Sequence, residues 1–420
     1  MNTDSVLKEN ELNFAEIFDY PVEYTGESRE SKLNRIREKM AEKSADYLIL
    51  TKLDDIAWTT NLRGRDVPET PVFFSYMIIG MDQAYLFVNK EAITHAIADA
   101  PEIESIYDIR DYDCFFEDLK DIAEGNVWID EKNKGEPLRE DEDAIYEKVI
   151  ETLKSHNLCQ EMNPVTHMKT IKNATEIEGM KKAHEMESIT LQKLFDWIFE
   201  NVGKIPMTEV GISENLEELR REWATYIEPS FTTIVGYKDH GAIIHYRPAK
   251  ETDYEVKPEG MMVIDAGGQY MEGTTDMTRT LILGEISDEM KLHYRAVREA
   301  QNVLKDITFD ITTTGKELDD MVREPIKAIG LDYAHGTGHG VGHLLHVHED
   351  PVRINQGRQT ENGIKENTYT FEPGVIVSNE PGIYIEGSHG IRIEDLMLCV
   401  EREDGRLGFE MLTKVPYQDI

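Results

Sequence analysis

The hydrophobic positions of the first part of the chain fall into short apolar segments separated by helical patterns. The segments DYLILT, VFFSYMIIG, AYLFVN and NVWID have the length and the β-branched and aromatic content of strands. Between two of them, KEAITHAIADA spaces its apolar residues as a helix does. The alternation predicts an α/β domain over residues 29–160, preceded by an N-terminal extension over residues 1–28.

A longer helical pattern marks the start of a second region. Over residues 173–202, Leu191, Leu194, Phe195 and Ile198 fall at helical spacing on one face. This spacing predicts a long amphipathic helix at the beginning of a second domain.

Glycine-rich strand-and-turn segments dominate the rest of the chain. VIDAGGQYMEGTTDMTRTLIL, GVIVSNEPGIYI and GIRIEDLMLCV combine apolar runs with glycines at the expected turns. One further helical stretch is expected around residues 288–328. Residues 161–420 are therefore predicted to form an α+β domain built on antiparallel sheet.

Charge and hydropathy limit the partners of the protein. The chain has 45 Lys and Arg against 82 Asp and Glu, a formal net charge of -37, which repels a phosphate backbone. Nowhere do about 18 apolar residues follow one another, and the N-terminus lacks a basic segment followed by an apolar run. We expect neither a nucleic-acid partner nor a membrane partner.

Cysteine usage indicates the compartment. The three cysteines are far apart and odd in number, which argues against a disulfide framework or a cysteine-based zinc site. This usage suits a reducing environment, and we expect a cytoplasmic protein.

Two aspartates flank a glycine-containing turn in VIDAGGQYMEGTTDMTRT. Asp265 and Asp276 are eleven residues apart on two strand-like runs. If the runs pair as a hairpin, cross-strand neighbours lie about 5 Å apart, close enough for two carboxylates to bracket a pair of metal ions. Acidic pairs beside turns are also common on surfaces, so this element alone is weak.

Histidines cluster in the segment HGTGHGVGHLLHVHE. Five of the thirteen histidines of the chain lie here: His335, His339, His343, His346 and His348. Glycines on both sides of His339 allow backbone and ligands to approach closely, as a buried metal requires. His343 and His346 are better explained as packing or surface residues, and strand alternation would put His346 and His348 on one face.

Two glutamates near the C-terminus form a third element. Glu380 in VSNEPGIYI and Glu394 in GIRIEDL stand among apolar strand residues beside glycines. A buried carboxylate is costly unless it is paired or coordinated, so both positions favour metal ligation. Asp395 would point to the opposite face of the strand from Glu394.

The three elements together form an oxygen-rich donor set. Its members are Asp265, Asp276, His339, Glu380 and Glu394. Two divalent ions would balance about four negative charges, and the hard donors favour Mn2+, with Co2+ or Zn2+ as alternatives. A water that bridges two metal ions becomes hydroxide near neutral pH while a metal polarises a carbonyl, which is a route to amide hydrolysis.

The motifs, in their order along the chain, resemble those of the pita-bread metallopeptidases and, within them, the cytosolic aminopeptidase P group. The resemblance is carried by GAIIHYRP, IDAGGQYMEGTTDMTRT, HGTGHGVG with VHEDP, NEPGIY and GIRIEDL. LDDIAWTTNLRGRDVPETPVFFSY extends it into the N-terminal half. It implies a creatinase-like α/β domain before a pita-bread catalytic domain, and an Xaa-Pro aminopeptidase that cleaves between an N-terminal residue and proline.

The resemblance also implies a role for each ligand. Asp265 would bind one metal ion, Asp276 and Glu394 would bridge both, and His339 and Glu380 would complete the shell of the other ion. Glu380 would in addition act as general base toward the bridging water, which yields the metal-bridging hydroxide.

Three further histidines receive roles from the same resemblance. His245, in IIHYRP, and His348, in VHE, are implied to orient substrate and to stabilise or protonate the developing tetrahedral intermediate. His335 is implied to line the pocket on the proline side. The expected substrates are peptides with proline at the second position, and the expected assembly is a homodimer.

Three features depart from the family pattern. Three-domain cytosolic members carry an additional N-terminal domain, whereas about 28 residues precede the α/β domain here. The polar stretch RINQGRQTENGIKEN, residues 353–367, lengthens the spacing between His339 and Glu380. A histidine stands at position 343, where relatives often carry a small residue.

Two alternatives remain open. A prolidase restricted to Xaa-Pro dipeptides shares all five ligands, although HGTGHGVG, VHEDP and GAIIHYRP favour the aminopeptidase. A pita-bread module that binds peptides without catalysis typically lacks several ligands, and this chain lacks none. A methionine aminopeptidase would leave the N-terminal α/β domain unexplained.

Overall fold

The computed structural model describes residues 14–122, 125–132, 137–360, 363–418 and 420. The first thirteen residues of the predicted extension and residues 361–362 of the polar stretch therefore lie outside the described residues. The chain divides into two units, Met1–Lys169 and Thr170–Ile420, whereas the sequence placed the boundary at residue 160.

The first unit is built around a mixed sheet. The apolar segments identified in the sequence form its centre, where Tyr47–Leu50 pairs antiparallel with Ser75–Gly80 and parallel with Asn126–Ile129. Ser75–Gly80 is buried at every position, as an uninterrupted apolar strand requires. In order across the sheet, the strands are Asp108–Asp111, Ala84–Val88, Ser75–Gly80, Tyr47–Leu50, Asn126–Ile129 and Asn157–Gln160.

Helices pack with this sheet in the first unit. Helix Arg29–Glu42 begins at Ser28, whose side chain accepts a hydrogen bond from the N–H of Ser31 and so caps the helix. The short strands Phe18–Asp19 and Leu62–Arg63 pair beside it. The other helices are Val22–Thr25, Leu53–Thr60, Thr94–Asp99, Ile103–Ile106, Tyr112–Cys114 (a 3-10 turn), Phe115–Lys120, Glu142–Thr152 and Pro164–Thr170, which reaches the boundary between the units.

The second unit opens with the predicted long helix, Ala174–Asn201. Asn173 caps it through a reciprocal arrangement with Glu176, in which each side chain accepts a hydrogen bond from the backbone N–H of the other. The four apolar residues at helical spacing are all buried in one core cluster, which includes residues of the neighbouring helix Glu209–Arg220. The prediction for this segment is confirmed.

The stretch around residues 288–328 forms two helices. The prediction of a single helical stretch there was therefore wrong. Asp288–Asn302 and Gly315–Ala328 each begin at a hydroxyl cap, Ser287 and Thr314. The polar, β-branched segment FDITTTG interrupts the helical spacing between them and contributes to the short strand Thr308–Phe309.

Antiparallel sheet makes up the rest of the second unit. Met261–Ala266 lies between Ile234–Tyr237 and Met277–Ile282. Every strand pairing described in this unit is antiparallel, which confirms the predicted sheet type. A larger sheet has the strand order Thr308–Phe309, Leu407–Met411, Asp395–Glu401, Ile376–Asn379, Gly338–Gly340 and Glu349–Ile354.

Small sheets and a short helix complete the second unit. In the described part of the polar stretch, Arg358–Thr360 pairs with Gly363–Lys365. The remaining elements are the strands Tyr226–Pro229, Gly268–Tyr270, Gly273–Thr274, Gly382–Ile385 and His389–Arg392, and the 3-10 helix Lys238–Ala242. Within the described ranges, none of the helices is long and apolar enough to cross a bilayer.

Candidate metal centre

The two predicted aspartates lie at the end of one hairpin. Strand Met261–Ala266 pairs with Met277–Ile282, which places Asp265 opposite Thr278 and Asp276 immediately before the second strand. Both aspartates are buried. The pairing that the sequence argument required is therefore present.

His339 lies in the larger sheet, on strand Gly338–Gly340. A Cβ atom at Gly338 would lie 1.9 Å from the carbonyl oxygen of Ser378, so only glycine allows the two backbones to approach this closely. His339 Nδ1 donates to the carbonyl oxygen of Gly340 at 2.9 Å. Because a carbonyl can only accept, Nε2 of the neutral ring carries the lone pair.

The sequence predicted both glutamates within strands. In the structure they lie in gaps between strands. Glu380 follows Ile376–Asn379, and Glu394 lies between His389–Arg392 and Asp395–Glu401. Their backbone N–H groups donate elsewhere, that of Glu380 to the Thr337 carbonyl and that of Glu394 to the Thr278 carbonyl. Each glutamate is thereby tied to a segment next to another predicted ligand.

Three predicted ligands converge. One ligand atom each of Asp276, His339 and Glu394 lies within 4.8 Å of the other two, and all three residues are buried. Glu380 borders this trio, because its Oε1 lies 3.4 Å from Nε2 of His339. Asp265 is close enough to raise the pKa of Asp276 and of Glu394 by charge repulsion.

Two carboxylate oxygens in the cluster have no hydrogen-bond donor among the described residues: Asp265 Oδ1 and Glu394 Oε1. The second oxygen of each is held firmly. Arg392 donates to Asp265 Oδ2 at 2.6 and 3.1 Å, and Thr278 Oγ1 donates to Glu394 Oε2 at 2.8 Å. Buried oxygens without donors are costly, and they are the atoms that bound cations would satisfy.

Burial and mutual repulsion perturb the titration of the cluster. Burial, followed by repulsion from neighbouring carboxylates, raises the pKa of Asp276 and of Glu394 well above the ordinary value. Burial raises the pKa of Glu380 to about 7 and lowers the pKa of His339 well below its usual value. Crowded carboxylates beside a neutral imidazole are a donor set that fits divalent cations.

Arg392 contacts the cluster, and the sequence analysis did not single it out. Its guanidinium is buried, holds Asp265, and also donates through Nη1 to the Tyr384 hydroxyl at 3.0 Å. Tyr384 lies 2.8 Å from Nε2 of His335. A signal was present, because an arginine two residues before Glu394 on an apolar strand needs a buried carboxylate partner.

The predicted histidines next to the cluster differ in their settings. The ring of His348 meets the ring of His339 edge-on, with centroids 4.3 Å apart, and His346 lies 5.7 Å from His348. Residues 343–348 form no strand, because the strand begins at Glu349, so the alternation argument for His346 and His348 was wrong. His343 is buried and is not part of the converging trio.

His335 and His245 are not part of the converging trio. His335 Nδ1 donates to the Gly336 carbonyl at 2.7 Å, so Nε2 accepts from Tyr384. Burial chiefly lowers the pKa of His335 to about 4, and His245 contributes to the shift. His245 is exposed and follows the 3-10 helix Lys238–Ala242.

This donor set lies on an α+β unit, which follows an α/β unit along the chain, and both units match known family models. The model of metallopeptidase family M24 matches residues 178–401, and that of the creatinase/prolidase N-terminal domain matches residues 9–176. The chain therefore belongs to metallopeptidase family M24, with a creatinase-type N-terminal domain. This result confirms the fold and the family expected from the motifs.

Two aminopeptidases are similar to this protein over nearly its whole chain. Xaa-Pro aminopeptidase 1 of Dictyostelium discoideum is 35% identical over 413 residues, covering 96% of this chain and 62% of the relative. Aminopeptidase P2 of Arabidopsis thaliana is 34% identical over 438 residues, covering 95% of this chain and 59% of the relative. The chain thus spans less than two thirds of the length of either relative.

Solved structures show the same fold. The X-prolyl aminopeptidase of Caenorhabditis elegans, described as a cytosolic enzyme with a di-nuclear active site, is 28% identical with a TM-score of 0.88. The match covers 98% of this chain and 66% of that protein. The Xaa-Pro dipeptidase of Bacillus anthracis, 24% identical with a TM-score of 0.71, covers 93% of this chain and 99% of that protein, and supports the fold alone.

Proposed function

We propose that the protein is a dinuclear metal-dependent Xaa-Pro aminopeptidase, which hydrolyses the bond between an N-terminal residue and proline. The observation that carries the proposal is the convergence of Asp276, His339 and Glu394 beside buried carboxylate oxygens that lack donors. The similarity to aminopeptidases of this specificity over nearly the whole chain supports the choice of substrate.

The proposal assigns five residues as ligands of two divalent cations: Asp265, Asp276, His339, Glu380 and Glu394. Two cations match the charge of the carboxylates, whereas one would leave an excess of buried negative charge. We favour Mn2+, with Co2+ or Zn2+ as alternatives, because hard oxygen donors predominate. When bound, the cations would make an attacking water more acidic and would polarise the scissile carbonyl.

Glu380 is the proposed general base. Ser378 Oγ donates to Glu380 Oε1 at 3.3 Å, which orients the carboxylate and leaves Oε2 to accept the proton of the attacking water. The water oxygen bonds to the carbonyl carbon, the bond from that carbon to the proline nitrogen breaks, and the nitrogen receives the proton.

His348 and His245 are proposed to act on the substrate. The ring of His348 packs edge-on against the ring of His339, so it lies next to the proposed ligands without being one of them. The exposed position of His245 allows it to contact a bound peptide. Loss of one hydrogen-bond donor to a developing oxyanion lowers the rate by about 10²- to 10³-fold.

His335 is proposed to form part of the pocket for the proline ring. With its pKa lowered to about 4, the ring stays neutral at physiological pH, and Tyr384 occupies its Nε2. The ring is then an uncharged flat surface for an apolar side chain. Proline also brings no N–H group to the scissile bond, so the pocket needs no acceptor there.

The proposed partners are peptides with proline at the second position and a second copy of the chain in a homodimer. We place the protein in the cytoplasm, which its cysteine usage supports and which matches the description of the C. elegans enzyme as cytosolic. The absence of nucleic-acid and membrane partners stays a prediction.

One assay tests the proposal. Protein equilibrated with Mn2+ is offered Xaa-Pro-Yaa, Xaa-Ala-Yaa and the dipeptide Xaa-Pro, and kcat/KM is measured for each. We expect release of the first residue from Xaa-Pro-Yaa with a preference of about 10- to 100-fold over the alanine peptide, because shape alone discriminates modestly. Preference for the dipeptide would indicate a prolidase, and no hydrolysis of any peptide would favour a binding module.

A further inference from the structure

We infer that Glu209 is a positioning residue that holds the loop carrying His245. The loop, residues 238–254, is called here the His245 loop. The inference rests on the proposed function, because it assigns part of the same reaction to a residue outside the metal centre. Glu209 is the first residue of helix Glu209–Arg220 and is completely buried.

The Glu209 carboxylate accepts hydrogen bonds from the residue just before the loop, from within the loop and from its last residue. Oε1 accepts from the backbone N–H of Tyr237 at 2.7 Å, and both oxygens lie 2.9 Å from His240 Nδ1. Oε2 accepts from the Tyr246 hydroxyl at 2.9 Å and from the backbone N–H of Tyr254 at 3.1 Å. One carboxylate thus closes a segment that would otherwise have to be fixed by separate contacts.

Stacked rings reinforce this closure. The His240 ring lies between two tyrosine rings, with its centroid 4.3 Å from that of Tyr246 and 3.7 Å from that of Tyr254. The interplanar angles are 28° and 15°, so both contacts are stacked. The same residues that donate to Glu209 therefore pack against one another.

The loop also rests on a strand of the metal centre. A Cβ atom at Gly390 would lie 1.7 Å from the carbonyl oxygen of Gly241, so the loop and strand His389–Arg392 are in direct backbone contact. Arg392, the last residue of this strand, holds Asp265. The loop is consequently fixed between Glu209 on one side and the metal-centre strand on the other.

His245 depends on the loop for its position. Its side chain is exposed, so packing does not fix the ring, and its backbone neighbour Tyr246 is one of the donors to Glu209. If Glu209 no longer accepted these hydrogen bonds, the histidine would sample positions away from the substrate. Misplacement of a reacting group by about 1 Å can lower a rate by about 100-fold.

A purely structural role for Glu209 makes a different prediction. A buried glutamate in the first turn of a helix also stabilises that helix through the helix dipole. In that case, loss of the Glu209 carboxylate would lower activity by the same factor in the wild-type and in the His245→Ala background, and the same would hold for stability. The two roles are therefore separated by combining substitutions at Glu209 and at His245.

The decisive variant is Glu209→Gln. It keeps the volume but offers one carbonyl oxygen in place of two carboxylate oxygens, so donors on one side face an NH2 group. With Xaa-Pro-Yaa and Mn2+ we expect kcat to fall about 10- to 100-fold, while KM and metal content change little. In a His245→Ala background the same substitution should change kcat by less than about twofold, because the side chain it positions is gone.

Amide hydrogen exchange supplies a readout that needs neither metal nor substrate. In metal-free protein, Glu209→Gln should speed exchange over residues 238–254, since the hydrogen bonds that close the loop are weakened. Glu217→Gln is the matched control on the same helix, because Glu217 accepts from the Tyr226 hydroxyl at 2.6 Å outside the loop. It should leave exchange of the loop and kcat unchanged.

Tyr246→Phe keeps the inference testable if Glu209→Gln does not fold, because it removes a single hydroxyl donor. Like Glu209→Gln, it should lower kcat and speed amide exchange of the loop, but by a smaller factor. An equal loss of kcat with and without His245, or unchanged loop exchange, would overturn the inference. If the wild-type protein hydrolyses no Xaa-Pro peptide, the proposed function fails, and loop exchange alone then decides whether Glu209 holds the loop.

Discussion

Removal of one negative charge from the carboxylate cluster should stabilise the metal-free protein. Ligand atoms of Asp276 and Glu394 lie within 4.8 Å of each other. Two unit charges at that distance repel by about 3.5 kcal/mol at an effective dielectric constant of about 20. Because proton uptake by one carboxyl relieves part of this repulsion, we expect Asp276→Asn to raise the free energy of unfolding by about 1 to 2 kcal/mol.

Burial, together with this repulsion, sets the pH dependence of the metal-free protein. The pKa of Glu380 is raised by burial from 4.5 to about 7, so the folded state binds more protons than the unfolded state between these values. Stability present below pH 4.5 is therefore lost as the pH rises through about 7. The pKa values of Asp276 and Glu394 are raised as well. Asp276→Asn should therefore make the loss of stability with rising pH less steep.

Denaturant unfolding of chelator-treated protein, measured across this pH window, tests both statements. Asp395→Asn is the matched control, because Asp395 is buried but paired with Arg279 at 2.8 Å. Breaking this pair should destabilise the protein by about 3 to 5 kcal/mol. If Asp276→Asn also destabilised the metal-free protein, the reasoning from uncompensated charge would be refuted. With Mn2+ present, Asp276→Asn should become less stable than the wild type, because it loses stabilisation by metal binding.

The remaining predictions concern metal content, catalysis and the arginine. Elemental analysis after equilibration with Mn2+ should find about two ions per chain, and Glu394→Gln should lose both; full activity at a ratio near one would contradict the dinuclear site. His348→Ala should lower kcat by about 10²- to 10³-fold with both metals retained. A larger effect of His346→Ala would show that the wrong histidine was chosen. Arg392→Met should lower stability by about 3 to 5 kcal/mol in denaturant unfolding, because it leaves Asp265 buried without its partner; an unchanged midpoint would contradict this.

Local patterns were sufficient for the fold class and for the strongest elements. The long helix was predictable because Asn173 caps it and its apolar residues repeat at helical spacing. The edge strands Asp108–Asp111 and Asn157–Gln160 were missed, because their polar, half-exposed residues form no apolar run. Such strands are stabilised by pairing with a neighbour that the local sequence does not contain.

The residue types of the site were also visible in the sequence, since carboxylates and histidines beside glycines are unusual among apolar strands. The assignment of the five ligands stays a prediction. Only the tertiary structure decided that atoms of Asp276, His339 and Glu394 meet, that Arg392 holds Asp265, and that Glu209 closes a distant loop. The physical reason is that these contacts depend on strand register and on burial between segments far apart in the chain, which no local spacing of residues encodes.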